Sequence, residues 1–172
     1  MAPGGQKHLF AFNTIYNQLE TALQIDPDGH ANNEIANNIW VQLGGTPYTW
    51  LSGDASGFRF HHNLWFGGLL QSAAPSSTDV YADPAFLRAG GYSSGDYALQ
   101  RGSSALAAGQ ILAQVSRDYT NKLRLASPAL GALESWQDAS DALIDHYYRA
   151  ILGRNPDAGG KTFWGNEAIR MR

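Results

Sequence analysis

One short stretch of the chain collects residue types that can bind a charged ligand and exchange protons: Asp54, Arg59, His61 and His62. Successive side chains of a strand point to opposite faces, so a strand with Phe58 and Phe60 facing inward carries Arg59 and His61 on its outer face. We therefore expect Arg59 and His61 to lie side by side, and we single them out as the candidate chemical pair.

These residues lie in the third copy of a sequence repeat. Asn13, Asn38 and Asn63 are 25 residues apart, within the segments FAFNTIY, IANNIWV and FHHNLWF. Three positions around each asparagine are apolar in every copy: Phe10, Ile35 and Phe60; Ile15, Trp40 and Trp65; and Tyr16, Val41 and Phe66. A fixed period of this kind predicts a chain wound into stacked coils, where a coil is one repeat.

Short strands are predicted to build the coils, because 25 residues hardly accommodate two helices and their turns. The segments are also rich in aromatic and β-branched residues. Equivalent residues of successive parallel coils lie about 4.8 Å apart, so the three asparagines are expected to form a hydrogen-bonded ladder. Asparagine also tolerates the left-handed backbone of a sharp corner. A slip of one residue in the first coil is the alternative frame, which pairs Asn13 with Asn37 and His62.

The segments NTIY, NNIW and HNLW, with their shared spacing over about residues 7–70, resemble right-handed parallel β-helix proteins of the pectate-lyase-like type. The resemblance implies an all-β fold, the C-terminal coils of a right-handed parallel β-helix, with a short α-helical appendage. In enzymes of this fold a cation neutralises a uronate carboxylate and a base removes the C5 proton. By that resemblance Arg59 is the catalytic cation and His61 the general base.

A structural reading stands beside the catalytic one. An active groove draws polar groups from several coils, whereas here one coil supplies nearly all of them. The outer positions equivalent to Arg59 and His61 in the earlier coils are Leu9 and Glu34, beside Ala11 and Ala36. This composition favours the structural reading, in which Arg59 and His61 are ordinary surface residues.

The tryptophans divide into two groups. Trp40 and Trp65 share a ladder position with the apolar Ile15, so they are predicted to fill the core. Trp50 lies outside that ladder. It is the candidate sugar-binding platform, with a packing role as the alternative.

No metal and no other cofactor are predicted. His61 and His62 are adjacent on the predicted strand and so point to opposite faces, which prevents them from binding one ion together. The glycine pairs of the chain lack the helix and lysine that follow in phosphate-binding loops.

Composition narrows the classes of partner. The net charge is −3 and the twelve Lys and Arg residues are scattered, which argues against nucleic acid. No stretch approaches the eighteen consecutive apolar residues of a membrane span. The chain has no cysteine, which excludes a disulfide scaffold but is compatible with export. Because the first strand begins by about His8 with an unpaired edge, we expect further coils of the same protein upstream.

The segment after the third coil breaks the period and carries three recognisable elements: ADPAF at 82–86, GDYALQRGSSALAAG at 95–109, and Asp118 with Arg124 followed by GALE at 131–134. Over about residues 79–134 it resembles the closing segment of bacterial surface proteins, the choice-of-anchor domain of the Q type. Asn121 stands where the family has glycine, and Ser104 where it has proline. The resemblance implies an exported or surface-associated protein and no known chemistry.

From position 139 onward the pattern is helical. Leu143, Tyr147 and Ile151 recur at intervals of four, and Gly153 is suited to end the helix. The run YYRAILGRNPDAGGKTFW resembles a helical domain of unknown function in bacterial exported proteins, whose signature is LGRxPDxxGxxxW. A second helix is predicted to start at Asn155, and only the first part of that domain is present. The predicted domains are residues 7–134 and 139–172.

Two functions from different classes remain. In the first, the chain is a non-catalytic scaffold: the C-terminal coils and surface-association region of an exported bacterial protein, secreted or at the cell surface, contacting polysaccharide or cell-surface glycan. In the second, it is the tail of a polysaccharide lyase, epimerase or glycoside hydrolase acting on uronate-containing polysaccharide. A polar cleft across all three coils would favour the enzyme, and an isolated Arg59 and His61 would favour the scaffold. We favour the scaffold for this chain.

Overall fold

A computed structural model describes residues 7–25, 29–51, 56–69, 76–134 and 137–170, without the side chains of residues 49–51, 137–143 and 169. Asp54, one of the candidate polar residues, lies outside the described ranges.

Within these ranges, the strands form three sheets in which every pair is parallel. The first sheet has the order β1 (Leu9–Ala11), β4 (Asn33–Ala36), β7 (Phe58–His61). The second has the order β2 (Thr14–Tyr16), β5 (Ile39–Val41), β8 (Leu64–Phe66), β9 (Val80–Tyr81). The third pairs β3 (Leu23–Ile25) with β6 (Thr49–Leu51). The first two sheets therefore collect one strand from each successive coil, and the third sheet collects one from each of the first two coils.

The predicted register is confirmed. Three sets of residues are neighbours across the first two sheets: Phe10, Ile35 and Phe60; Ile15, Trp40 and Trp65; and Tyr16, Val41 and Phe66. The alternative frame, in which Asn13 pairs with Asn37, is excluded by these pairings. The third sheet follows a different spacing, because Leu23 pairs with Thr49 rather than with a residue 25 positions away.

The asparagine ladder forms at the corner between the first and second sheets. Oδ1 of Asn38 accepts hydrogen bonds from the backbone N and from Nδ2 of Asn13, at 2.9 and 3.0 Å. Oδ1 of Asn63 accepts the same two bonds from Asn38, at 3.1 and 3.0 Å. Asn38 and Asn63 are fully buried. The ladder thus satisfies polar groups that the corner removes from water.

The left-handed residue of each corner precedes the ladder asparagine, contrary to expectation. Phe12, Asn37 and His62 have φ values of 56°, 58° and 52°. This backbone costs an L-residue about 1–2 kcal/mol, so packing must offset it where the side chain is large. Phe12 is buried, with the guanidinium carbon of Arg124 lying 3.7 Å from its ring centroid.

A fourth rung follows the third coil after only 16 residues. The backbone N of Asn63 donates to Oδ1 of Asp79 at 2.9 Å, so Asp79 takes the place of the next ladder asparagine. The two residues after it, Val80 and Tyr81, pair with Leu64 and Trp65. The second sheet continues although the sequence period has ended.

The core of the coils is an aromatic stack. The rings of Trp40 and Trp65 lie 5.4 Å apart and nearly parallel, and Phe10 stacks on Trp40 at 5.7 Å. Trp40 and Trp65 are almost completely buried, which confirms their predicted core position. Burying each such side chain contributes about 2–3 kcal/mol to folding. Phe60, predicted to face inward, is buried in the same cluster.

The prediction of an all-β fold is wrong. The described residues contain helices of 16 and 13 residues, α1 (Gln137–Leu152) and α2 (Ala158–Arg170), beside strands of only two to four residues. The chain is therefore an α/β mixture with parallel sheets. The strands are short because each coil is mostly corner and loop, whereas the helical segment is too long to count as an appendage.

The chain divides into two compact units, Met1–Pro84 with Ser104–Glu134, and Ala85–Ser103 with Ser135–Arg172. The predicted domains, 7–134 and 139–172, stay a prediction. In the second unit Lys161 of α2 forms a 2.7 Å ion pair with Asp145 of α1, and the backbone N of Arg101 donates to Asn166. As predicted, Gly153 terminates α1: it follows Leu152, the last helical residue, and has a φ of 63°. Among the described residues, neither helix has the length and apolarity needed to cross a membrane.

In the first unit, the segment after Ser104 is held by a buried ion pair. Arg124 and Glu134 approach within 3.6 Å, with side chains 5% and 3% exposed. Arg124 also donates to the carbonyl of Gly131 at 3.0 Å, and both Glu134 oxygens accept from the backbone N of Ala129. The pair therefore ties together the two ends of residues 124–134.

Asp118 organises the turn that precedes this pair. Its Oδ1 accepts from Thr120 and from the backbone N of Lys122, and its Oδ2 accepts from the backbone N of Glu134. Burial alone would raise the pKa of Asp118, but these hydrogen bonds outweigh it and lower the pKa. Asn121 has φ of 68°, which gives a physical reason for a glycine-like residue at that position.

Candidate functional site

The register brings Arg59, His61 and Glu34 together on the outer face of the first sheet. Arg59 lies directly opposite Glu34, and His61 lies opposite Ala36. Arg59 Nη2 and His61 Nε2 both bond to Oε1 of Glu34, at 2.8 and 2.7 Å. Arg59 and His61 are thus neighbours as expected, joined by a carboxylate from the preceding coil, and their catalytic roles stay a prediction.

The members of this group differ in exposure. The side chain of Arg59 is 66% exposed, whereas that of His61 is only 7% exposed. An exposed ion pair such as Arg59–Glu34 contributes less than about 1 kcal/mol to stability. His61 is instead held in place by burial and by bonds to both of its ring nitrogens.

His61 and His62 do not point to opposite faces, and that prediction is wrong. Strand β7 ends at His61, and His62 adopts the left-handed corner conformation. Its Nδ1 lies 3.0 Å from Nδ1 of His61, with the two rings nearly perpendicular at 88°. Alternation holds only within a strand, so it does not apply to a residue at the corner.

His62 has a mixed environment. Burial lowers the pKa of His62, His61 and Arg59 lower it further, and Asp79 opposes them. Its backbone N donates to Oγ1 of Thr78 at 3.1 Å. We therefore expect the imidazole of His62 to be neutral near neutral pH.

The chain matches no protein-family model, and no curated protein matches its sequence. The resemblances to a pectate-lyase-like β-helix, a choice-of-anchor domain and a bacterial helical domain stay predictions. The case for a function therefore depends on the geometry of the site.

The cluster of Glu34, Arg59 and His61 does not extend further along the outer face of the first sheet. Across β1, β4 and β7, one row of paired outer residues is Leu9, Glu34 and Arg59. The next row is Ala11, Ala36 and His61. Within the described strands of this sheet, charged outer side chains thus come from the second and third coils only.

Trp50, the predicted sugar platform, lies in β6, where its backbone pairs with Gln24. It belongs to the ladder of the third sheet, which the sequence repeat does not reveal. Its side chain lies outside the described part of the structure, so its role as a glycan contact stays a prediction.

A separate cavity of about 230 Å³ lies in the first unit, beside Phe12 and Arg124. Its other lining residues are mostly apolar, among them Ile111, Leu123 and Leu125. Since the charge of Arg124 is engaged by Glu134, the cavity offers no set of groups suited to acid–base chemistry.

Sequence reasoning missed three parts of this site. Glu34 was considered only as an equivalent outer position, although its place 25 residues before Arg59 is the signal that makes them neighbours. The contact between His61 and His62 required knowledge of the corner, and Asp79 lies off the period. Among the described residues, no group of three or more His, Cys, Asp or Glu side chains converges as a metal site.

Proposed function

We propose that this chain is a non-catalytic scaffold, the surface-association region of an exported bacterial protein, secreted or at the cell surface. Its coils provide a stack of parallel strands that positions other parts of the protein and contacts polysaccharide or cell-surface glycan. Export and glycan contact derive from the sequence resemblances, and the scaffold role derives from the geometry.

The observation that carries the scaffold role is that Glu34, Arg59, His61 and His62 hydrogen-bond to one another. Oε1 of Glu34 binds both Arg59 and His61, and the other ring nitrogen of His61 faces His62. A general base needs a lone pair within reach of its substrate. The side chain of His61 is only 7% exposed and both of its ring nitrogens are hydrogen-bonded, which favours a structural role over that of a general base.

The alternative is the tail of a polysaccharide lyase, epimerase or glycoside hydrolase acting on uronate-containing polysaccharide. Such an enzyme needs a groove with charged groups from several coils, and alanines occupy the row that leads to His61. On the described outer face of the first sheet, the exposed Arg59 is the cation that suits a uronate carboxylate, and Glu34 already pairs with it.

The edge of the first coil also suits a scaffold. The strands β1, β2 and β3 each lie at the edge of their sheet, and Phe10 at the end of the aromatic stack is 40% exposed. Asn13 donates from N and Nδ2 to Asn38, and among the described residues no bond to its Oδ1 is present. This edge has the shape and the free acceptor that a further parallel coil of the same kind requires.

The test combines two readouts on one panel of uronate-containing polysaccharides. Wild type, Arg59→Ala and His61→Ala are compared for the ultraviolet absorbance of unsaturated products, for newly formed reducing ends and for retention on the immobilised glycans. We expect no product from any of them, and equal retention of all three on at least one glycan. Product formation by wild type that both variants lose would overturn the scaffold proposal, and absence of retention on every glycan would refute glycan contact.

A further inference from the structure

The pair of adjacent histidines has the geometry of a chelate. Nδ1 of His61 and Nδ1 of His62 face each other at 3.0 Å. With metal–nitrogen bonds of about 2.0 Å, two ligands at right angles lie about 2.8 Å apart, and two tetrahedral ligands about 3.3 Å apart. The observed separation lies between these values, so the two nitrogens are close enough to bind one ion once each ring rotates to direct its lone pair at the ion instead of at the other nitrogen.

Glu34 prepares His61 for such a role. A carboxylate only accepts hydrogen bonds, so the bond of 2.7 Å between Glu34 and Nε2 requires that Nε2 carry the hydrogen. In the neutral ring, Nδ1 of His61 then holds the lone pair that faces His62. Metal-binding histidines generally donate their other N–H to a carboxylate in this way, which fixes the ring and raises its basicity.

We propose that His61 and His62 bind one divalent transition-metal ion through their Nδ1 atoms, with Glu34 as the outer carboxylate and Cu²⁺ as the preferred ion. Copper binds nitrogen ligands most strongly among the divalent first-row metals and favours square-planar sites, whose right-angle spacing suits this pair. Water occupies the remaining positions. On binding, the proton of the bond between the rings moves to Nε2 of His62, so the ligand set stays neutral.

The carboxylate of Asp79, whose charge acts on His62, is already engaged by other donors. Both oxygens of Asp79 accept hydrogen bonds, from the backbone N of Asn63 and from Nε1 of Trp65. Arg59 shares Oε1 of Glu34 and keeps that carboxylate in place. Because His62 is only partly buried, an ion can reach the pair from the solvent side.

The repeat itself supplies variants that preserve the fold. Ala36 occupies the position of His61 in the preceding coil, and Asn37 occupies that of His62 with the same left-handed backbone. His61→Ala and His62→Asn therefore remove the two nitrogens with little disturbance. His146, exposed on α1, provides the matched control His146→Ala.

The experiment is a Cu²⁺ titration of the whole chain, followed by calorimetry and by electron paramagnetic resonance. We expect one site with nitrogen hyperfine structure in wild type, at least tenfold weaker binding in His61→Ala and in His62→Asn, and no change in His146→Ala. Glu34→Ala should weaken binding by about tenfold through the loss of the outer carboxylate. Equal binding by wild type and a His61→Ala/His62→Asn double variant whose circular dichroism is unchanged would overturn the proposal, as would loss of binding in His146→Ala alone.

Discussion

Asn38→Ala is expected to lower the free energy of unfolding by about 3–5 kcal/mol, because it removes the middle of a buried ladder. Oδ1 of Asn38 is the acceptor for two groups of Asn13, and its Nδ2 donates to the carbonyl of Phe10 and to Asn63. Asn38 is fully buried, so water cannot replace these partners without opening the corner. Urea denaturation followed by tryptophan fluorescence measures the change.

Asn13→Ala is the matched control, since Asn13 begins the ladder and is only partly buried. It removes the bond from Nδ2 to Asn38 but leaves the backbone bond in place. We expect a cost of about 1 kcal/mol for this variant. Equal costs for Asn13→Ala and Asn38→Ala would mean that the buried ladder does not hold the coils together.

Arg124→Met is expected to destabilise the first unit by about 3–5 kcal/mol, because it leaves the carboxylate of Glu134 buried without its cation. Burial lowers the pKa of Arg124, and the charges of Glu134 and Asp118 oppose that effect. The ion pair thus offsets part of the cost of burying the two charges. The same substitution removes the bond to the carbonyl of Gly131 and the contact with the ring of Phe12. Thermal and urea unfolding measure the loss of stability.

A double variant separates the effect of the unpaired charge from the effect of the lost packing. In Arg124→Met/Glu134→Gln the uncompensated charge is gone, so we expect it to recover at least about 1 kcal/mol of the loss. Arg88→Met serves as an exposed comparison, because Arg88 lies 3.9 Å from Asp96 with its side chain 72% exposed. That change should cost less than about 1 kcal/mol. A double variant less stable than Arg124→Met would contradict a dominant role for the buried charge.

The repeat was predictable from sequence because its signal lies in side chains that must be apolar in every coil. Phe10, Ile35 and Phe60 keep their spacing since each faces the same core. The spacing also placed Arg59 beside His61. The all-β class was wrong although the helical pattern from position 139 onward was recognised, because that segment was counted as an appendage, whereas its two helices are longer than any described strand.

The features that were missed share a physical cause: they depend on corners, whose backbone the sequence pattern does not specify. His62 meets His61 because a left-handed residue turns its ring back. Asp79 continues the ladder because a loop shorter than a full coil suffices to return the chain to the second sheet. In both cases the conformation of a few residues decides the contact, and hydrophobic periodicity carries no information about it.

The central claim, that residues 25 positions apart are stacked neighbours, is tested most directly by cysteine cross-linking in this cysteine-free chain. Ala11 and Ala36 are partners across β1 and β4, and adjacent strands have the separation of about 5 Å that a disulfide needs. Ala11→Cys/Ala36→Cys should form an intramolecular disulfide under mild oxidation, whereas Ala11→Cys/Ile35→Cys, whose side chains point to opposite faces, should not. Preferential cross-linking of the Ile35 pair would contradict the account.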